Sequence, residues 1–325
     1  MNDEQREPDK AGPYRNIPMP YRSHGRSGLH TSALGMSLRR CFGNDQSVAA
    51  MRSLLTCAVD SGITHFDTAP DYGPPYGAAE ENLGLLVSRL SCQRDELVIS
   101  TRAGLGTLPG PFAGFSSRKR LLSSLDASLR RTGLDYIDVF YAHRHDPFTP
   151  LEETMGALDS AVRQGKALYV GLSGYAPALV RKGAAILRRL GTPLVTCKLS
   201  YSMRNRWPEH GLLDVLEAEG IGCVAEEPLE LDVDPASVGP GLDEFLRDEI
   251  EAARRRLAAV ATARGQTPAQ CAISWILRNE CMASVLTNPA GPSDLAEYQL
   301  AVENLDFTDA ELAAIEACFP DPDSF

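Results

Sequence analysis

Eight short runs of β-branched and aliphatic residues alternate with longer amphipathic stretches along 325 residues, and this alternation narrows the fold more than any other feature. Each short run reads as a buried strand and each long stretch as a helix that carries the chain back to start the next strand. The strand runs are 32–36, 63–67, 97–101, 136–141, 168–172, 194–198, 223–226 and 284–286. The apolar spacing predicts helices over 47–60, 79–88, 117–131, 151–163, 177–190, 212–219, 249–264 and 268–278. Strands and helices in that number and order fit an α/β fold, a closed (β/α)8 TIM barrel, better than an open sheet. A last helix is predicted over 309–318, where Thr308 as N-cap and Glu311 three residues later spell a capping box. No repeat or linker divides the chain. Residues 21–325 therefore read as one barrel domain, and residues 1–20, polar and proline-containing, as a flexible N-terminal tail.

Composition removes several classes of partner. A net charge of -11 disfavours nucleic acid and anionic lipid. No run of eighteen apolar residues is present, so no membrane span is expected, and the start of the chain has no apolar signal core. A cytoplasmic protein acting on a small molecule is the resulting expectation, with the oligomeric state open. Eight cysteines are scattered without CxxC pairs or histidines at metal spacing, so neither a disulfide framework nor a metal site is expected.

In a barrel of this kind, chemistry belongs at the C-terminal ends of the strands. Asp67 and Tyr72 follow the second strand run, Arg102 ends the third, His143 follows the fourth and Ser173 the fifth. Taken singly, each has an ordinary structural explanation: a helix cap, a core aromatic, a surface cation, a loop histidine. Their recurrence at matching ends of adjacent strands points to a proton-handling site.

The same residues carry a family resemblance. Gly62-Ile63-Thr64-His65-Phe66-Asp67, Tyr72-Gly73-Pro74-Pro75 with Ala79-Glu80-Glu81-Asn82, Asp138-Val139-Phe140-Tyr141-Ala142-His143-Arg144, Gly165-Lys166-Ala167-Leu168-Tyr169-Val170-Gly171 and Asn205-Arg206-Trp207 resemble the aldo-keto reductases. Within that family the likeness is to the branch of bacterial L-glyceraldehyde-3-phosphate reductases and potassium-channel β subunits. The resemblance implies a tetrad of aspartate, tyrosine as general acid, a lysine that lowers the tyrosine's pKa, and a histidine that orients the carbonyl. Asp67, Tyr72 and His143 fall on those positions, but the lysine position holds Arg102, a planar, permanently charged group that is no simple substitute for an ammonium. The expected catalytic set is thus Asp67, Tyr72, Arg102 and His143, with Arg39, Phe112, Lys198 and Glu226 as pocket residues.

The cofactor side of the pattern departs further. Where the resemblance implies an aromatic group stacked on nicotinamide and a glycine-containing pyrophosphate loop, this chain has Glu226, followed by Glu227, Glu230, Asp232 and Asp234. So much negative charge repels a pyrophosphate. Lys198 stands for the glutamine that meets the nicotinamide amide, and Gly174 follows Ser173 in place of asparagine or serine. The arginine implied for the 2'-phosphate is missing from 287–294, where Pro289 and Pro292 also remove N–H donors. The expectation from these departures is that no cofactor binds. The enzyme would then be a cofactor-independent lyase or isomerase, with Tyr72 as acid/base, Arg102 its pKa partner, Asp67 positioning the cation, His143 donating to the substrate oxygen and Glu226 as second acid/base. Two alternatives stand beside it: an NADPH-dependent reductase of a small aldehyde or ketone, with Ser173 and Lys198 on the cofactor, and a non-catalytic binding protein.

Overall fold

The computed structural model describes residues 18–104, 116–229 and 243–319. The expectations placed on the N-terminal tail, on Phe112 and on Glu230, Asp232 and Asp234 lie outside the described residues. A short antiparallel hairpin, β1 (Tyr21–Ser23) with β2 (His30–Ser32), precedes the barrel. Eight parallel strands then close on themselves: β3 (Leu34–Ser37), β4 (His65–Asp67), β5 (Val98–Gly104), β6 (Ile137–His143), β7 (Ala167–Ser173), β8 (Leu194–Ser200), β9 (Gly222–Glu226) and β10 (Met282–Thr287), with β10 pairing back onto β3. The crossover helices are α1 (Val48–Asp60), α2 (Ala78–Val87), α3 (Arg118–Thr132), α4 (Leu151–Arg163), α5 (Pro177–Leu190) and α6 (Leu212–Glu219). Two helices, α7 (Asp243–Ala263) and α8 (Pro268–Leu277), connect β9 to β10, and α9 (Pro292–Gln299) and α10 (Asp309–Cys318) complete the ring.

Local sequence explains where these helices begin and stop. Pro177 at the start of α5 has the fixed φ a first turn wants, and Gly191 ends the helix in the left-handed conformation. Between them Val180, Ala184 and Leu187 repeat at helical spacing on the buried face. Burying side chains of the size of Val180 and Leu187 contributes about 1.5–3 kcal/mol each. The expected box at α10 is present in both directions: Thr308 Oγ1 accepts from the Glu311 N–H, and the Glu311 carboxylate accepts from the Thr308 N–H. Helix α9 was not expected. Pro292 opens it at the first-turn position, where a missing N–H costs nothing.

The hairpin closes the N-terminal end of the barrel. The Arg22 guanidinium donates to the carbonyl of Met282 where β10 begins, and the Arg26 N–H donates to Gly220 just ahead of β9. Inside the barrel, side chains alternate with the pleat. At the opposite end, strand register sets Gly104, His143, Ser173 and Lys198 in a row across β5 to β8, and Ser37, Asp67 and Ser100 in a second row across β3 to β5. One glycine in this scaffold is required by close approach. A Cβ on Gly171 would stand 2.3 Å from Cε1 of Tyr141, a fully buried ring on the neighbouring strand. Gly171→Ala is expected to cost about 1–3 kcal/mol by overpacking, read as a lower urea midpoint; an unchanged midpoint would mean that Tyr141 repacks freely.

Candidate active site

The expected catalytic residues converge on the C-terminal rim of the barrel. Asp67 ends β4 with its carboxylate wholly buried, and three donors converge on it. The Tyr72 hydroxyl donates to Oδ2 at 3.1 Å, the Ser100 hydroxyl donates to Oδ1 at 2.6 Å, and the Lys198 ammonium lies 2.9 Å from both oxygens. An ionised carboxylate is acceptor-only, so this set suits the charged form. Burial works to protonate Asp67, but the Lys198 charge and the hydrogen bonds from Ser100 and Lys198 outweigh it and hold the carboxyl below the usual carboxylate range.

Arg102 stands on the other side of the phenol. Its guanidinium carbon is 4.9 Å from the centroid of the Tyr72 ring, and Nη2 donates to Asp71 at 2.9 Å. The cation that Asp67 positions is therefore Lys198 from β8, while Arg102 meets the ring face and is tied to Asp71. Tyr72 is fully buried. Burial first and the Asp67 charge second push its pKa well above the usual phenol value, with Arg102 opposing them, so the resting group is a protonated phenol.

His143 ends β6 and places Nδ1 3.1 Å from the Ser173 hydroxyl. Burial, reinforced by Arg102, Lys198, Arg144 and Arg39, lowers its pKa to about 2, so the ring is neutral throughout the physiological range. Glu226, at the end of β9, lies 3.8 Å from the Lys198 ammonium and 4.0 Å from Arg102, and Glu227 pairs with Arg39 at 2.6 Å. Two rim residues that are not glycine, Arg144 and Glu227, hold φ of 62° and 61°. Left-handed backbone of this kind costs of order 1–3 kcal/mol per residue and clusters where a site dictates the chain path.

Three contributors were not singled out from sequence: Ser100, Asp71 and His65, whose ring bridges Ser284 and Ser100 beneath Asp67. The alternation of side chains along a strand was the signal available for two of them, because 65 and 67 share a face, as do 100 and 102.

A sequence profile described as the aldo/keto reductase family matches residues 36–319. The chain belongs to that family. It is 43% identical to an L-glyceraldehyde 3-phosphate reductase of Escherichia coli O157:H7, and 42% identical to the protein of that name from strain K12, in each case over 94% of both chains. It is also 33% identical to a probable voltage-gated potassium channel subunit beta of Arabidopsis thaliana, over 88% of this chain and 92% of the relative.

These relatives overturn the expectation that no cofactor binds. The two Escherichia coli relatives are reductases by name, and reduction requires a hydride donor that amino-acid side chains do not provide. The physical reason for the error lies in the partners of the acids. Glu226 lies within 4.0 Å of Lys198 and Arg102, which also pair with Asp67 and Asp71, and Glu227 pairs with Arg39, so the negative charge summed from the sequence is partly offset at these two positions. The rim also has groups that fit a dinucleotide. Asn288, just beyond β10, has a buried Oδ1 with no hydrogen-bond partner, an acceptor suited to a ligand donor, and a Cβ on Gly291 would meet nothing within 4 Å. Among the described residues no group of three or more His, Cys, Asp or Glu is placed to hold a metal ion, and no helix is long and apolar enough to cross a membrane.

Proposed function

We propose that the protein is an NADPH-dependent reductase that converts the carbonyl of a small oxygenated aldehyde or ketone to an alcohol. The observation that carries this reading is the buried phenol of Tyr72, hydrogen-bonded to an Asp67 carboxylate that Lys198 keeps ionised, at the same barrel rim as neutral His143. The 43% identity to reductases over nearly the whole chain supports it. Ser173 and Asn288 are the rim residues that would meet the dinucleotide, which supplies the hydride when bound; Lys198 is turned to Asp67 instead.

The chain's own residues handle the oxygen. With Ser173 donating to Nδ1, the His143 proton resides on Nε2, and a neutral imidazole N–H there donates to the carbonyl oxygen and orients it. As negative charge develops on that oxygen, the Tyr72 proton turns from Asp67 to the substrate. Arg102 over the ring offsets the phenolate left behind, an interaction worth more in this buried setting than in water. Burial and the Asp67 charge raise the Tyr72 pKa, and Arg102 opposes them, which brings the phenol closer to the range in which a general acid works.

Fluorescence titration with NADPH tests the reading. Saturable binding in the micromolar range is expected, together with oxidation of NADPH when small hydroxyaldehydes are added. A flat titration would overturn it.

A further inference from the structure

Each carbonyl reduced consumes a proton as well as a hydride, so a phenol that has given its proton away must be recharged before it can act again. In the resting site Tyr72 is 1% exposed and the Asp67 and Lys198 side chains are 0% exposed, so none of the three exchanges protons freely with solvent. They are nonetheless in continuous contact: Tyr72 to Asp67 at 3.1 Å and Asp67 to Lys198 at 2.9 Å. The series continues outward. Glu226 Oε2 is 3.8 Å from the Lys198 ammonium, one bridging water or a small side-chain rotation beyond hydrogen-bond reach, and 17% of its side chain faces solvent.

We propose that Glu226, Lys198 and Asp67 form a proton path that recharges Tyr72 from solvent, with Glu226 as its outer acid. This rests on the reductase reading. When the Tyr72 O–H bond breaks and the product O–H bond forms, a phenolate stands beside Asp67. Its charge raises the proton affinity of Asp67, one N–H bond of Lys198 breaks to protonate the carboxylate, and Asp67 passes that proton to the phenolate oxygen. Lys198 is then a neutral amine. Glu226 takes a proton from hydronium or a buffer acid in the solvent and returns it to Nζ. No electrons move along the path, and its net input is one proton from solvent acid per alcohol formed.

The chemistry of the two cations explains why both are present. Arg102 lies about as near to Glu226 as Lys198 does, at 4.0 Å, but its guanidinium does not release a proton under any working condition. It can steady a phenolate; it cannot relay. An ammonium with three rotatable donors can do both, and Lys198 is the ammonium that touches Asp67.

The test compares wild type with Glu226→Gln and Glu226→Asp, using NADPH and glyceraldehyde in dilute buffer. Loss of the outer acid in Glu226→Gln is expected to lower kcat about tenfold while a single turnover of preloaded enzyme keeps nearly the wild-type rate. Added formic or acetic acid should restore kcat in a saturable, concentration-dependent way, and Glu226→Asp, which retains the acid, should keep most of its activity. A field effect of Glu226 on Tyr72 would change the rate of the first turnover and would not respond to small acids. An unchanged kcat in Glu226→Gln, a loss that small acids do not restore, or an equally slowed first turnover each overturns the proton path and leaves the reductase reading standing. A wild type that oxidises no NADPH with a panel of small carbonyl compounds overturns both.

Discussion

Tyr72→Phe is expected to reduce kcat by roughly two to four orders of magnitude, the range over which a positioned general acid contributes. The substitution removes one oxygen and leaves the ring in place, so the contact with Arg102 at 4.9 Å and the packing of the buried ring survive. Asp67 loses one donor but keeps Ser100 and both contacts with Lys198, so its charge remains paired. The stability cost is therefore that of one buried hydrogen bond, about 1–3 kcal/mol at most. Affinity for NADPH should change little, because the phenol oxygen points to Asp67 in the resting site. The outcome is read as a kcat loss with near-normal cofactor binding and an intact melting profile. Full activity in this variant would exclude Tyr72 as the proton donor and leave His143, neutral and unable to give up a second proton easily, as the nearest substitute.

Much of this site is legible in the sequence because it is local. Asp67 and Tyr72 are five residues apart, and strand-end placement follows once eight strand runs are recognised. The strand runs themselves were within three residues at every boundary, since β-branched runs bounded by glycine or charge are the strongest such signal. What sequence could not supply was contact across the barrel. Lys198 reaches Asp67 over 131 positions, and only closure of β3 to β10 brings β8 near β4. Without that contact, Arg102 was the obvious pKa partner and Lys198 an unattached pocket cation. The acids after β9 were misread for the same reason. Summing their charges predicts repulsion of a dinucleotide, whereas Glu226 and Glu227 each meet cations supplied by β5, β8 and the segment after β3. The prolines of 289–292 show a different failure: read as lost donors in a loop, one of them begins α9.

Acidification should unfold this barrel well before its carboxylates titrate, because three histidines are buried in the neutral form. His65 is lowered to about 4, His24 to about 3 and His143 to about 2, in each case chiefly by burial. In the unfolded chain the same rings titrate near 6.5, so as pH falls below that value the unfolded state binds protons that the folded state refuses, and stability declines with pH. Between about pH 7 and about pH 5 each ring contributes roughly 2 kcal/mol of that loss, or about 5–6 kcal/mol together. A domain whose total stability is of order 5–15 kcal/mol has little left after such a change. Asp67 does not compensate: its lowered pKa belongs to a group whose contribution is fully present above the usual carboxylate range and is lost only at still lower pH. Urea midpoints measured from neutral pH downward should fall steeply below about pH 6.5. His65 is the position at which to test the cause, since its ring hydrogen-bonds Ser284 and Ser100 and an amide can make similar bonds. In His65→Gln the dependence of stability on pH should flatten by about a third, one ring of three. A midpoint constant down to about pH 5 would mean that the folded barrel admits protons to these rings, through opening motions or through water, and that burial does not keep them neutral.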